Sequence, residues 1–235
     1  MPPYTVQPVT LADSPALARN NMSAFWTNPN WNLLWPKSTT LDFLVAEATK
    51  RMPNNLLRDP AALRHQKAVD SETGELVGYA RWELPAGHRD AAAWAGSKIA
   101  EDAVSPEERR AIQERSDAAW WEPIDMDGID DCVPQKMRIL AEKPYISVNE
   151  GLDYLAVHPD HKGKGIATIL VQEGIRLAKE TGIDVFILAF PAGLNVYKRL
   201  GFKEVHRGYQ DDTKYGGEGY WVTLLTYEVE KTNSA

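Results

Sequence analysis

The sequence predicts a mixed α/β fold, in which a central mixed sheet of about seven strands carries helices on both faces and a partly helical insertion. Three observations lead there. Residues 148–210 alternate strand-like and helix-like runs, "GLDYLAV", "GIATILVQEGIRLAKETG", "IDVFILAF" and "AGLNVYKRL", whose apolar periods change from 2 to 3.6 and back. Two further pairs of short apolar runs, "HQKAVD" with "LVGYARWEL" and "FKEVHRGYQ" with "GYWVTLLTYEV", are spaced like antiparallel neighbours. Helix starts with capping residues precede the first pair and recur in the middle of the chain.

Taken in order, "YTVQPV" at 4–9 reads as an edge strand, because Pro8 has no N–H for a central ladder. Asp13 or Ser14, with Pro15, opens the helix "ALARNNMSAFW". The tryptophan-rich turn "TNPNWNLLWPKST" follows, then Thr40 caps "LDFLVAEATKRM", which Pro53 is expected to end. "SETGE" turns the first hairpin. Residues 86–147 break the rhythm. "AAAWAGSKIAEDAV" is alanine-rich and helix-prone, Ser105, Pro106 and Glu108 make a capping box for "EERRAIQERSDAAWW", and "EPIDMDGIDDCVP" is acidic and turn-rich. Its apolar content is too thin for a separate core, so the whole of 1–235 is expected to be one domain with an insertion at about 86–147. Beyond it, Gly182 closes the long helix and Gly201 the short one.

The 235 residues carry a formal net charge of −7, which disfavours general nucleic-acid binding, since phosphates call for a basic face. Cys132 is the one cysteine, so no internal disulfide forms and a reducing compartment fits. The opening "MPPYTVQPVTLADS" lacks a signal-peptide pattern and no apolar run reaches membrane-spanning length. A cytoplasmic location is expected, with the nucleus equally compatible, and no membrane partner.

The most informative stretch is "HPDHKGKGIATIL" at 158–170. A strand entering a glycine-rich turn and then a helix offers unpaired amides at the positive end of a helix dipole. Gly163 and Gly165 let a ligand approach the main chain, and Lys162 and Lys164 add charge. Phosphate is the natural occupant. Neither a P-loop nor a dinucleotide fingerprint fits: the first lacks its upstream glycine, and Thr168 stands where the second needs a third glycine.

With its flanks, "LAVHPDHKGKGIATIL" resembles the signature segment of the GNAT superfamily, the acetyl-CoA-dependent N-acetyltransferases, with Lys162 in place of the usual first residue. "VYKRLGFKEV" at 196–205 resembles the same family's Tyr-x-x-x-Gly-Phe segment, and "FPAGLNVY" resembles a Pro-Ala-Gly variant of fungal small-molecule members, with Phe190 where an asparagine is common. The resemblance implies the GNAT fold, with a mostly antiparallel sheet, and acetyl-CoA or coenzyme A as cosubstrate. It implies that Gly163, Lys164, Gly165, Ile166 and Ala167, with Lys162, hold the pyrophosphate. Leu155, Ala156 and Val157 would pair with the pantetheine arm where the sheet splays, and a Val157 or neighbouring amide would face the oxyanion. Tyr197 matches the family's acid.

For the base, Asp153 and Glu150 contend; alternation sets Asp153 on the face of Leu155 and Val157. Glu83 is a third carboxylate, with a structural role as its simpler reading. His158 and His161 lack further ligands at usual metal spacings, so no metal is expected. Cys132 lies among acidic residues that dull a thiol, so a bystander is its simpler reading, and the resemblance implies direct attack in a ternary complex. Trp26, Trp31, Trp35, Trp120 and Trp121 either fill the core or wall an acceptor pocket. The expected reaction is acetyl transfer to a small-molecule amine. A protein amine, a non-catalytic coenzyme A sensor and an unrelated phosphate binder are the alternatives, and a homodimer is compatible with each.

Overall fold

A computed structural model of the chain describes residues 3–100, 102–126, 132–148 and 155–230. Its strands are β1 (Tyr4–Pro8), β2 (Leu63–Asp70), β3 (Leu76–Glu83), β4 (Tyr145–Val148), β5 (Leu155–Val157), β6 (Asp184–Ala189), β7 (Lys203–Gln210) and β8 (Tyr220–Tyr227). Its helices are α1 (Ser14–Trp26), α2 (Pro29–Asn32), α3 (Leu41–Leu57), α4 (Pro106–Asp117), α5 (Val133–Glu142), α6 (Ile166–Thr181) and α7 (Pro191–Arg199). The sheet runs β1-β2-β3-β4-β6-β8-β7, and β5 pairs with β3 off this path. All pairings are antiparallel except β4 with β6.

The expected mixed, mostly antiparallel sheet is present, with eight strands among the described residues, one more than the sequence marks. The extra one is β4, whose "YISV" lies inside the stretch assigned to the insertion. Pro53 does not end its helix: α3 runs on to Leu57, burying Leu56 and Leu57 past the proline. The apolar stripe carries the helix through a residue whose missing N–H costs one ladder bond. "AAAWAGSKIAEDAV" is not an α-helix either. Ala92–Ser97 is a 3-10 turn that places Trp94 at 0% exposure beneath the sheet. The capping box at Ser105 and Glu108 is present, with Ser105 N donating to Glu108 Oε2 at 3.0 Å and Glu108 N to Ser105 Oγ at 3.2 Å.

Alternation along the strands builds two faces. On one, α6, α7 and the Trp94 turn cover Val77, Ala80, Trp82, Ile146, Val185 and Ile187. On the other, α1 and α3 cover Tyr79, while Ile139 and Leu140 of α5 pack against Tyr145, Phe186, Val222 and Leu224. The stretch between β3 and β4 feeds both: Trp94 enters the first core, and Ile99, Ile112, Trp120 and Trp121 join the second. Two glycines set the closeness of α6 to the sheet. A Cβ on Gly174 would stand 2.1 Å from the Trp82 ring, and one on Gly78 would stand 2.7 Å from Ile166 Cγ2.

Candidate active site

The glycine-lysine turn is built by β5, a short 3-10 turn and α6. His158 N donates to Val77 O at 3.0 Å, His161 N to His158 O at 3.0 Å and Lys162 N to Pro159 O at 3.2 Å, which reverses the chain out of the sheet. Gly163 and Gly165 then adopt φ of +77° and +83°, a region costly for any residue with a Cβ. Gly165 caps α6 without a side-chain hydrogen bond, and the ladder begins with Ile169 N donating to Gly165 O at 3.1 Å. The amides ahead of it are therefore those a helix leaves without an internal acceptor. No atom lies within 4 Å of where a Cβ of Gly163 or Gly165 would stand. Residues 162–165 are exposed and Ile166 is buried against Gly78, so the cradle is open outward and anchored inward.

The lysines are placed differently from one another. Lys162 Nζ donates to Thr27 Oγ1 at 2.6 Å, binding the turn to the end of α1, whereas Lys164 Nζ lies 3.5 Å from His161 Nδ1. His158 accepts from Asp160 N through Nδ1 at 3.4 Å, which serves the turn itself.

Beside the cradle the sheet divides. β4 follows β6 as far as Val148 opposite Ile187; β5 pairs with β3, as Gly78–Val157, Tyr79–Ala156 and Ala80–Leu155. Leu188 and Ala189 of β6 meet β8 on one side, and no pairing with β5 closes the other among the described residues. Because His158 N bonds to Val77 O, antiparallel alternation turns the amides and carbonyls of Leu155 and Val157 away from β3 and toward this gap. Ala156 faces β3, and its carbonyl also accepts from Asn20 Nδ2 of α1 at 3.4 Å. Leu155, Val157, Gly163, Gly165, Ile166 and Ala167 are thus brought to one continuous edge.

Tyr197 lies on α7, 5% exposed, its ring 5.7 Å from Phe202. Phe202 N donates to Tyr197 O at 3.2 Å, and Gly201 at φ +93° makes the turn that brings the two rings together. Gly193 lies against Tyr197, since a Cβ there would stand 3.2 Å from its Cε2. Asp153 and Glu150 lie outside the described residues. Glu83 ends β3 opposite Ser147, half-buried. Cys132 is 2% exposed, in an apolar cluster with Tyr145, Phe186, Val222 and Leu224, and a Cβ on Gly208 would stand 2.6 Å from its Sγ.

Two features escaped the sequence. One is a buried polar group under α1. His65 Nδ1 meets the Tyr79 hydroxyl at 2.8 Å. Burial, with Arg81, Arg64 and Arg58 nearby, drives His65 down to about 3. Asn20 and Asn21, 1% and 0% exposed, lie in the same layer; two consecutive asparagines on an apolar helix were the available signal. The other is how residues 27–35 are tied. Asn30 Nδ2 donates to Asp212 Oδ2 at 2.7 Å and to Glu218 O at 2.6 Å, and Ile124 N donates to Leu34 O at 2.6 Å. With the Lys162–Thr27 bond, these ties stretch the segment from the cradle to the β7–β8 loop. Its tryptophans form a ladder: Trp31 to Trp35 at 5.3 Å, Trp35 to Trp120 at 5.9 Å and Trp35 to Trp121 at 4.9 Å.

A strand thus ends in an open amide cradle beside a split sheet. Residues 137–204 match the model of the acetyltransferase (GNAT) domain, spanning β4, the cradle, Tyr197 and the start of β7. Solved structures share the fold along nearly the whole chain. A Corynebacterium glutamicum protein described as histone acetyltransferase HPA2 and related acetyltransferase is 20% identical, with 98% of each chain covered and a TM-score of 0.57. The yncA protein of Salmonella typhimurium, solved with its cofactor acetyl-CoA, is 15% identical over 99% of this chain and 97% of that one, with a TM-score of 0.50. The Drosophila melanogaster polyamine N-acetyltransferase, which forms N-acetylagmatine, is 12% identical over 96% and 100%, with a TM-score of 0.50. The match to the acetyltransferase (GNAT) domain is thus confined to residues 137–204, while the likeness to the solved acetyltransferases is one of fold along the whole chain. Among the described residues no helix is long and apolar enough to cross a membrane.

Proposed function

We infer that the protein transfers the acetyl group of acetyl-CoA to the amine of a small molecule, by direct attack in a ternary complex. The observation that carries this reading is the junction of two empty valences: the open cradle at Gly163–Ala167 continues into the unpaired edge of Leu155 and Val157. The cradle suits a diphosphate, because helix-start amides and the dipole favour an anion there. The edge suits an amide-bearing arm, which can bond to it as an added strand does. The order of the two would deliver the thioester to the gap faced by α7.

There the Val157 amide is the donor for the developing oxyanion and Tyr197 the acid for the departing thiolate. Asp153 or Glu150, at the segment joining β4 to β5, would take the amine's proton. The burial of Cys132, 2% exposed, favours direct attack over a thiol relay, since a thiol closed off from solvent is out of a thioester's reach. Titration of acetyl-CoA by calorimetry, with release of coenzyme A thiol on adding amines, tests the reading. Gly163→Val and Gly165→Val should each abolish measurable binding while leaving the fold intact. Undiminished binding in both would remove the cradle from the mechanism.

A further inference from the structure

The groups assigned to the reaction stand on two parts of the sheet. β5, which leads into the cradle, pairs with β3, whereas α7, which carries Tyr197, packs on β6 and β8. A chain of side-chain contacts outside the sheet also joins the two. At the entrance of the cradle, Lys162 Nζ donates to Thr27 Oγ1 at 2.6 Å. Three residues further, Asn30 Nδ2 donates to Asp212 Oδ2 at 2.7 Å and to Glu218 O at 2.6 Å. Asp212, 2% exposed, organises the loop between β7 and β8: its Oδ1 accepts from Gln210 Nε2 at 3.0 Å, and its carbonyl accepts from Tyr215 N at 2.9 Å and Gly217 N at 3.1 Å. Leu33 presses on the same loop, since a Cβ on Gly217 would stand 2.5 Å from its Cδ1. The loop runs into Tyr220, the first residue of β8, whose ring lies 5.9 Å from that of Phe190. Phe190 is the N-cap of α7.

We propose that Asn30 is a positioning residue for the transfer: it ties the cradle to the β7–β8 loop and, through Tyr220 and Phe190, sets the start of α7, so that Tyr197 is held in register with the thioester. The inference rests on the acetyltransferase reading and adds to it a residue outside both the cradle and α7. An amide nitrogen carries two hydrogens, and here each has an acceptor, one near either end of the loop. Two bonds to one half-buried side chain fix the loop where a single bond would leave a hinge. The bond to Asp212 is made to a buried carboxylate, which makes it the stronger kind. The far end of α7 is already held, because Phe202 N donates to Tyr197 O at 3.2 Å and the two rings pack together. Its near end takes its place from Phe190. Misplacement of a reacting group by about 1 Å can cost about 10²-fold in rate, so a tie that steers α7 matters to turnover.

The test uses the full chain, with calorimetry for acetyl-CoA and thiol release for turnover. 2-Phenylethylamine, agmatine and free lysine are tried as acceptors, and the fastest is carried through the variants well below the Tm of each. Asn30→Ala should lower kcat by about tenfold or more, while the Kd of acetyl-CoA stays within about twofold, because the cradle and β5 lie on the near side of the tie. Asp212→Asn, which keeps an oxygen for Asn30, should recover most of what Asp212→Ala loses. The deciding arm is the Tyr197→Phe background. There Asn30→Ala should change kcat by less than about twofold, since the tie acts through a hydroxyl already removed. An equal loss in both backgrounds, or a parallel loss of acetyl-CoA affinity, makes Asn30 a packing residue and overturns the proposal. If Asn30→Ala does not fold, Tyr220→Leu, which interrupts the same path at Phe190, takes its place under the same criteria. Acetyl-CoA bound with none of the three amines acetylated, or Tyr197→Phe without effect on kcat, overturns the proposal and leaves the cosubstrate site standing. No acetyl-CoA binding at all overturns the acetyltransferase reading and this inference with it.

Discussion

His65 is a buried histidine whose titration the fold displaces strongly. Its folded pKa of about 3 lies far below the ordinary histidine value because burial comes first and three arginines add to it. Between those two values the unfolded chain holds a proton that the folded protein refuses, so stability rises with pH across that window. Lowering the pH from neutral toward 3 should therefore erode the unfolding free energy, and His65→Gln should flatten that slope in denaturant melts taken at several pH values. Asp13 acts in the same direction lower down. Burial opposes its charge, but Lys67, with Nζ at 2.7 Å from both carboxylate oxygens, and Thr10 hold its pKa down. Its contribution is present above the ordinary carboxylate value and is lost as the pH falls through the lowered one. Gly174 gives a sharper test. A methyl there would run into the fully buried Trp82 ring at 2.1 Å, and such overpacking costs about 1–3 kcal/mol. The gain from replacing a helical glycine is about 0.5–1 kcal/mol, so Gly174→Ala should lower Tm despite the better helix former.

At the scale of elements, the proposed chemistry rests on β5 and α7. Tyr197→Phe should cut kcat by roughly 10²–10⁴-fold while leaving acetyl-CoA affinity nearly unchanged, a split that steady-state kinetics with calorimetry would read. Loss of affinity with unaltered kcat would make Tyr197 a packing residue for Phe202 instead. These two elements were also the ones readable beforehand. Glycines at 163, 165, 182 and 201 mark left-handed turns, and local backbone demands are written in single residues. β4 was not readable. "YISV" is four residues long, and its partner β6 lies far along the chain, so its strand state is set by pairing that no local pattern announces. The same limit applies to Ala92–Ser97, where alanine content suggests a helix but the burial of Trp94 dictates a tighter turn. Pro53 misled for a related reason, since the rule against proline is a local cost that a long buried stripe outweighed. The ties of residues 27–35 could not be inferred at all. They join residues such as Asn30 and Asp212 that only the folded sheet brings together.

For the molecule as a whole, ligand binding and stability are linked. Acetyl-CoA at about a hundred times its Kd should stabilise the folded state by about 2.7 kcal/mol, visible as a rise in Tm that Gly163→Val removes. The described pairing between the sheet's two halves is slender. On the main path β3 meets β4 through the single pair Glu83–Ser147, while β1, β2, β3 and β5 lie on one side and β6, β8 and β7 on the other. α6 spans that seam, resting on Trp82 and Gly78 of one half and packing against Val185 and Ile187 of the other. The helix works as a keel, and its leading turn is also where an anion would dock. Occupancy at the prow should then be felt amidships: amide exchange at Ser147 should slow when the diphosphate is present, although Ser147 itself touches no part of it.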